Sequence, residues 1–317
     1  MYTCASLFAG VGGIDLGFEK AGVKTVYANE FDSYAADTFE KNFKIKVDRR
    51  DIHEVKASEL PDFDILLAGF PCQAFSIAGY RQGFDDEKGR GNLFFEVTRI
   101  IEEKRPRVAF FENVKNLVSH DNGNTFRVIC EQLDLLGYKY LFQVMNASEY
   151  GNIPQNRERI YIVAFRDKED YSNFSLPKSI PLTKSIKDVI DFDGEKDEKF
   201  YYTPEKCSFY DELKRSMVTS DTIYQWRRVY VRENKNNLVP TLTANMGTGG
   251  HNVPLILTHD SRIRKLTPRE CFNVQGFPKT FKLPDQSNGR LYKQAGNSVV
   301  VPVITRIAKS IILALSN

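Results

Sequence analysis

No CxxC pair occurs in this 317-residue sequence, and its five cysteines, Cys4, Cys72, Cys130, Cys207 and Cys271, are scattered and odd in number. That argues against a zinc site or a disulfide framework, and leaves most cysteines as small buried hydrophobes with at most one or two chemically special. Histidine is equally sparse, four in all and dispersed, so no metal is expected. No run of about 18 apolar residues is read, so no membrane span is expected. The opening residues, MYTCASLFAGVGG, lack a charged segment followed by an apolar one, so no signal peptide is read and a cytoplasmic protein is expected. Neither sign of charge is in excess: 44 Lys and Arg stand against 41 Asp and Glu, a net +3. Any nucleic-acid-binding face must therefore come from local clustering of charge.

What is present is a clear alternation in the first half. Residues 2–7 read as a strand ending in Gly10, Gly12 and Gly13, followed by a helix to about Ala21. Lys24–Asn29 reads as a second strand, and Asp32 as the N-cap of a helix through Asn42. Ile65–Ala68 is a continuous apolar strand of the buried parallel type. A helix over 92–104, a strand over 108–111 and a helix over 124–136 closed by Gly137 follow, then strands over 138–146 and 159–165. The alternation predicts an α/β fold, a mostly parallel sheet with helices on both faces. After about residue 167 the pattern turns polar, proline-broken and then β- and loop-rich, and an apolar helical period returns over 299–315. A main domain of 1–167 plus 291–317 and a smaller domain of 168–290 are expected.

Four motifs carry chemistry. SLFAGVGG (6–13) is a strand, a glycine turn and a helix start, where the backbone can approach a ligand and the helix offers free N–H groups. Glu30, about 20 residues on, can accept hydrogen bonds from ribose hydroxyls, and Asp51, read as following the third strand, can meet an adenine amine. This turn suits NAD, FAD or S-adenosylmethionine (SAM), or a tight turn with no ligand. GFPCQAFS (69–76) puts Pro71 and Cys72 at the carboxyl end of an apolar strand, where open α/β sheets place ligands. The glycine-studded stretch up to Gly91 reads as a lid. FFENV (110–114) places Glu112 after another buried strand, facing the same cleft as Cys72. In QNRERIYIV (155–163), Arg157 and Arg159 stand two apart at a strand start and are expected on one face, suited to an anion or a carbonyl oxygen, or to surface ion pairs.

FAGVGG, GFPCQAFS, ENV, QNRER, RECFNVQGFP (269–278) and QAGNSVVVPV (294–303) stand in the order of signature motifs, spread over both ends of the chain. On these the sequence resembles the DNA (cytosine-5)-methyltransferase family, in its compact bacterial restriction–modification form. The resemblance implies a Rossmann-like SAM-dependent methyltransferase domain with a target-recognition domain. It implies Cys72 as the thiolate that adds to carbon 6 of a flipped-out cytosine, making carbon 5 electron-rich enough to take a methyl group. Glu112 would hydrogen-bond the ring nitrogen and exocyclic amine, which requires it to hold or share a proton. Arg159 would hold the cytosine carbonyl oxygen, and Arg157 the lid or a phosphate. The matching cofactor positions are Phe8, Ala9, Gly10, Gly12, Gly13, Glu30, Phe31, Asp51, Ile52, Pro71, Leu93, Asn297 and Ser298, with Phe8 beside adenine and Asn297 on the methionine side. SAM is the implied cofactor and S-adenosylhomocysteine its product.

Double-stranded DNA is the expected partner. Gln73, Ser76 and Arg90 would touch the DNA backbone or fill the gap left by the extruded base. Arg227, Arg228 and Arg232, in YQWRRVYVREN (224–234), are expected to read guanine edges or contact phosphate. Thr241 and Thr243, in PTLTANMGTGGHNVP (240–254), match the segment whose threonine meets the backbone beside the flipped base. These stretches look like those of relatives acting on CCGG, CCNGG or CCWGG, so a CC…GG palindrome is expected. A monomer is expected, with a cognate endonuclease that meets the same site without a stable complex. The rival readings are the same chemistry on tRNA, an NAD-dependent oxidoreductase built on the glycine turn, and a catalytically silent DNA-binding scaffold. The second leaves Cys72, Glu112 and the arginine pair without a role.

Overall fold

The computed structural model describes residues 1–71, 93–248 and 252–316. In chain order its main elements are β1 (Thr3–Leu7), α1 (Gly13–Glu19), β2 (Lys24–Asn29), α2 (Ser33–Asn42), β3 (Ile65–Ala68), α3 (Leu93–Lys104), β4 (Val108–Val114), α4 (Asn124–Leu135) and β5 (Lys139–Asn146). They are followed by β6 (Gln155–Asn156), β7 (Glu158–Phe165), β8 (Tyr224–Trp226), β9 (Val231–Glu233), β10 (Val239–Pro240), β11 (Leu255–Leu257) and β12 (Ile263–Lys265), then α5 (Pro268–Val274), α6 (Asn288–Asn297) and α7 (Val301–Ser316).

The chain forms two compact units. The first is Met1–Met145, Glu158–Pro177 and Ile304–Asn317; the second is Asn146–Arg157 and Lys178–Val303. Compared with the expected boundaries, the second unit also takes 146–157 and runs on to Val303. The reason is local pairing: β6 forms a parallel ladder with β10, Gln155 opposite Val239 and Asn156 opposite Pro240.

The first unit holds a six-stranded sheet in the order β2-β1-β3-β4-β7-β5. β1 pairs parallel with β2 and β3, and β3 parallel with β4, whereas β7 runs antiparallel to β4. The sheet is thus mixed, with its parallel part where the βαβ alternation placed it. β3 is buried along its whole length, which is why it reads as an unbroken apolar run. In α3, Phe94, Val97, Ile100 and Ile101 recur at helical spacing and are buried. They pack in one core with Leu66, Ala68, Ala109 and Phe111 of the sheet and Ile129 and Leu133 of α4. On the other face Phe18 of α1 meets Phe110 edge-on at 5.3 Å. Asp32 caps α2 by accepting from the N–H groups of Tyr34 and Ala35.

The stretch Asn288–Ser316 is, against expectation, long and apolar enough to cross a membrane. From Ile304 onward it is a core element of the first unit: Ile304, Ile307, Ala308 and Ile311 of α7 are fully buried. The Tyr2 hydroxyl donates to the Leu315 carbonyl at 2.7 Å, tying the start of the chain to this last helix.

The second unit has its own four-stranded sheet, β12-β11-β8-β9, and a small core of Cys207, Leu213, Met217, Tyr224, Leu255 and Ile263. A fully buried pair braces it: Arg264 donates from both terminal nitrogens to the two carboxylate oxygens of Glu270 at 2.8 and 2.7 Å. Glu270 also closes a capping box with Thr267 at the start of α5.

Candidate active site

The turn after β1 is built from residues that are not interchangeable. Gly10 has φ +56 and open space where a Cβ would stand; Gly12 has φ +84, and a Cβ there would run into the Phe43 ring at 2.3 Å. Gly10 leaves backbone exposed to an approaching group, while Gly12 serves the packing of α2. Between β1 and Gly10, Phe8 sits at φ +54, a left-handed conformation rare for a bulky side chain and a mark of functional constraint. Ala9 and Gly13 are buried in the same turn.

Glu30 ends β2 and locks this turn. One carboxylate oxygen accepts from the Gly10 N–H at 2.8 Å and the other from the Asp32 N–H at 2.7 Å. The Phe31 ring beside it is 71% exposed. Asp51 does not follow a third strand, as expected; it lies before β3, after the single bridge between Asn29 and Asp48, and caps a short turn by accepting from the His53 N–H. That backbone bond holds the Asp51 carboxyl below its ordinary range. Ile52 is buried in the core, and Leu93 packs at the edge of the same cluster. The set fits an adenosine moiety: a fixed carboxylate for ribose hydroxyls, an exposed ring for stacking and an exposed carboxylate for an amine.

A second group gathers where β3, β4 and β7 end. In the β4–β7 register Glu112 lies opposite Tyr161 and Val114 opposite Arg159. Arg159 and Tyr161 share a face, so Arg159 is the diagonal neighbour of Glu112, within reach of a long side chain. Accordingly the Arg159 Nε lies 3.3 Å from Glu112 Oε1, both side chains nearly buried. Gly69, just past β3, is the close neighbour of this pair: a Cβ there would stand 3.1 Å from Ile14 Cδ1 and 3.8 Å from Glu112 Oε2. Asn113 carried no role at the sequence level, although it sits in the motif. Its Nδ2 donates to the Phe70 carbonyl at 3.0 Å in a buried bond, and its Oδ1 accepts from the Val114 N–H. It therefore fixes the end of β3 two residues before Cys72. Pro71 is the last described residue there, and Cys72, Gln73, Ser76 and Arg90 lie outside the described residues.

Arg157 departs from expectation. It falls between β6 and β7, so no single strand carries it together with Arg159. It is 3% exposed, and its guanidinium donates to the carbonyls of Leu242 (2.8 Å), Gly296 (3.0 Å) and Ser298 (2.6 Å). Among the described residues its fork is thus bound to backbone carbonyls, and the segment read as a lid lies outside the described residues. In the same unit Asn297 is exposed at the end of α6 and Ser298 is buried. Thr241 and Thr243 are exposed; the Thr241 hydroxyl donates to the Asn156 carbonyl at 2.6 Å and that of Thr243 to Asn245 Oδ1 at 2.9 Å.

Arg227 and Arg228 lie at the tip of the β8–β9 hairpin and Arg232 on β9, all exposed. At the last strand pair before that tip, Trp226 stacks on Phe209, centroids 4.1 Å apart and rings 4° from parallel. None of the three arginines forms an ion pair with a described residue.

The C-5 cytosine-specific DNA methylase model matches residues 2–313. The chain is 62% identical over 312 residues to the type II methyltransferase M.Bsp6I of Bacillus sp. (strain RFL6), covering 98% of each. It is 41% identical to M.HhaI of Haemophilus parahaemolyticus, covering 96% of this chain and 92% of that one. Its fold is shared with a DNMT2 mutant of Spodoptera frugiperda, with a TM-score of 0.76 at 20% identity over 98% of this chain and 100% of that one. The chain therefore belongs to the C-5 cytosine-specific DNA methylases, SAM-dependent enzymes that transfer a methyl group to carbon 5 of cytosine in DNA.

Proposed function

We propose that the protein methylates one cytosine in a short palindromic duplex site as the protective half of a restriction–modification system, with Cys72 as nucleophile and Glu112 and Arg159 holding the base. The observation that carries this is the close pairing of Glu112 with Arg159 beside Gly69, at the strand end from which Cys72 follows.

The Cys72 thiolate forms a bond to carbon 6 of a flipped-out cytosine, and the ring electrons move to carbon 5. Glu112 donates a hydrogen bond to the ring nitrogen and accepts one from the exocyclic amine, stabilising the charge that addition creates. Arg159 turns its guanidinium from Glu112 to the carbonyl oxygen of the base. SAM, when bound, would supply the electrophilic methyl group that carbon 5 takes, with S-adenosylhomocysteine as the product. Carbon 5 then loses its proton, and the bond from Cys72 to carbon 6 breaks. Phe8, Ala9, Gly10, Gly13, Glu30, Phe31, Asp51, the Ile52 backbone, Pro71 and Leu93 would hold the cofactor, with Asn297 and Ser298 on the methionine side. Thr241, Thr243 and the hairpin arginines would meet DNA, as would Gln73, Ser76 and Arg90. The protein acts as a monomer in the bacterial cytoplasm, and its endonuclease meets the same site independently.

A duplex carrying 5-fluorocytosine tests this, because fluorine cannot leave as a proton does. The expected result is a SAM-dependent covalent adduct that maps to residue 72. No adduct from an enzyme competent on ordinary DNA overturns the mechanism. Turnover on tRNA but not on duplex DNA would favour the tRNA reading.

A further inference from the structure

Within the second unit, two exposed segments are joined by one buried side chain. Arg157 donates from Nη1 to the carbonyl of Leu242, which lies between Thr241 and Thr243. From Nη2 it donates to the carbonyls of Gly296 and Ser298, on either side of Asn297. The two segments also touch through backbone: a Cβ on Gly296 would lie 2.3 Å from the Thr243 carbonyl oxygen and 2.5 Å from the Ala244 nitrogen.

The junction is itself firmly held. The Arg157 N–H donates to Asn146 Oδ1 at 3.1 Å, and the Arg157 carbonyl accepts from the Ala147 N–H at 3.0 Å. Gln155, fully buried, donates to the Val274 carbonyl and to Gln275 Oε1. Gln275, also fully buried, donates to the Ala295 carbonyl at 2.7 Å. The carbonyls of 295, 296 and 298 are thus all pinned by buried donors, while the side chain of Asn297 is left outward. On the other segment Leu242 is buried and Thr241 and Thr243 are outward.

A guanidinium is a planar fork whose donor directions are fixed relative to one another. Moving the Leu242 carbonyl tilts the fork and misaligns its bonds to Gly296 and Ser298, and the reverse holds equally. We propose that Arg157 is a positioning residue that couples the DNA-facing threonines to the cofactor-facing asparagine, so that each ligand's binding depends on the other. This rests on the reading given above, in which Thr241 and Thr243 meet DNA and Asn297 meets SAM. A lysine cannot reproduce the role, since one ammonium lacks the fork that spans both segments.

The test is the affinity of the full-length protein for S-adenosylhomocysteine, measured by calorimetry without and with a duplex carrying its site. The ratio of the two dissociation constants is the coupling, typically about 5- to 150-fold where it exists. Arg157→Lys is expected to fold, to bind each ligand alone within about threefold of the parent, and to lose the coupling to a ratio near one. A folded Arg157→Lys with the parental ratio overturns the proposal. If that variant does not fold, hydrogen exchange on the unaltered protein decides: S-adenosylhomocysteine alone is expected to slow the amides of Met246 and Thr248. Protection confined to 295–301 overturns it. Absence of S-adenosylhomocysteine binding by the unaltered protein refutes the cofactor reading and this proposal with it; binding without coupling refutes only the role of Arg157.

Discussion

Glu112 Oε1 and Arg159 Nε face each other at 3.3 Å across two antiparallel strands, offset diagonally by one step in the register. In the reading proposed above, this pair would hold the edge of a pyrimidine.

Glu112→Gln is expected to lower the single-turnover methylation rate by about 100- to 10,000-fold, the usual contribution of positioned acid–base groups. SAM affinity should be largely kept. A single-turnover rate equal to the parent's refutes the role of Glu112.

Arg159→Lys should cost about 100- to 1,000-fold in the same assay, as for loss of one donor to a developing negative oxygen. Rapid-quench measurement with tritiated SAM reads it. A change confined to KM would assign Arg159 to binding alone.

Asn113→Ala removes the donor to a buried carbonyl at Phe70. Leaving that carbonyl unsatisfied should cost about 1–3 kcal/mol of stability, read from urea unfolding. No change in the midpoint would mean that the end of β3 does not depend on this bond.

Asp15 is fully buried, and desolvation raises its carboxyl from 3.8 to about 6 even though Ser6 and Thr25 donate to it. Below about 4 it is protonated folded or unfolded and has no effect. Between about 4 and 6 the unfolded chain releases its proton more readily, so the folded state loses stability, and above about 6 the penalty is constant. The span corresponds to roughly 3 kcal/mol. Asp15→Asn is therefore expected to gain stability relative to the parent as pH rises from 4 to 7, measured by urea unfolding at several pH values. A pH-independent difference between the two proteins overturns this.

Arg228→Ala, and likewise Arg227→Ala and Arg232→Ala, should relax the sequence context of methylation, read by bisulfite sequencing of DNA from expressing cells. The same experiment on the unaltered protein decides whether the context is CC…GG. An unchanged context with a salt dependence shallower by about one would assign the residue to phosphate contact.

The first unit was largely legible in the sequence because its signals are local. The apolar run of β3, the Asp32 cap and the helical spacing of α3 each follow from neighbouring residues. What the sequence hides depends on breaks and on distant partners. Arg157 and Arg159 imply one face only if a single strand carries both, and the strand is interrupted at 157. Gly10 and Gly12 look alike in a motif, but only the folded chain brings the Phe43 ring against Gly12. The single bond from Asn113 to Phe70 spans 43 positions and has no signature in the motif around it.

The hydrogen bond from Tyr2 to Leu315, with Ile304, Ile307 and Ile311 buried in the same unit, makes residues 313 positions apart depend on one another for cover. Until α7 has been made, part of the apolar surface of the first unit is uncovered. Messages cut short upstream of that helix should therefore yield polypeptides unable to finish folding and open to proteolysis.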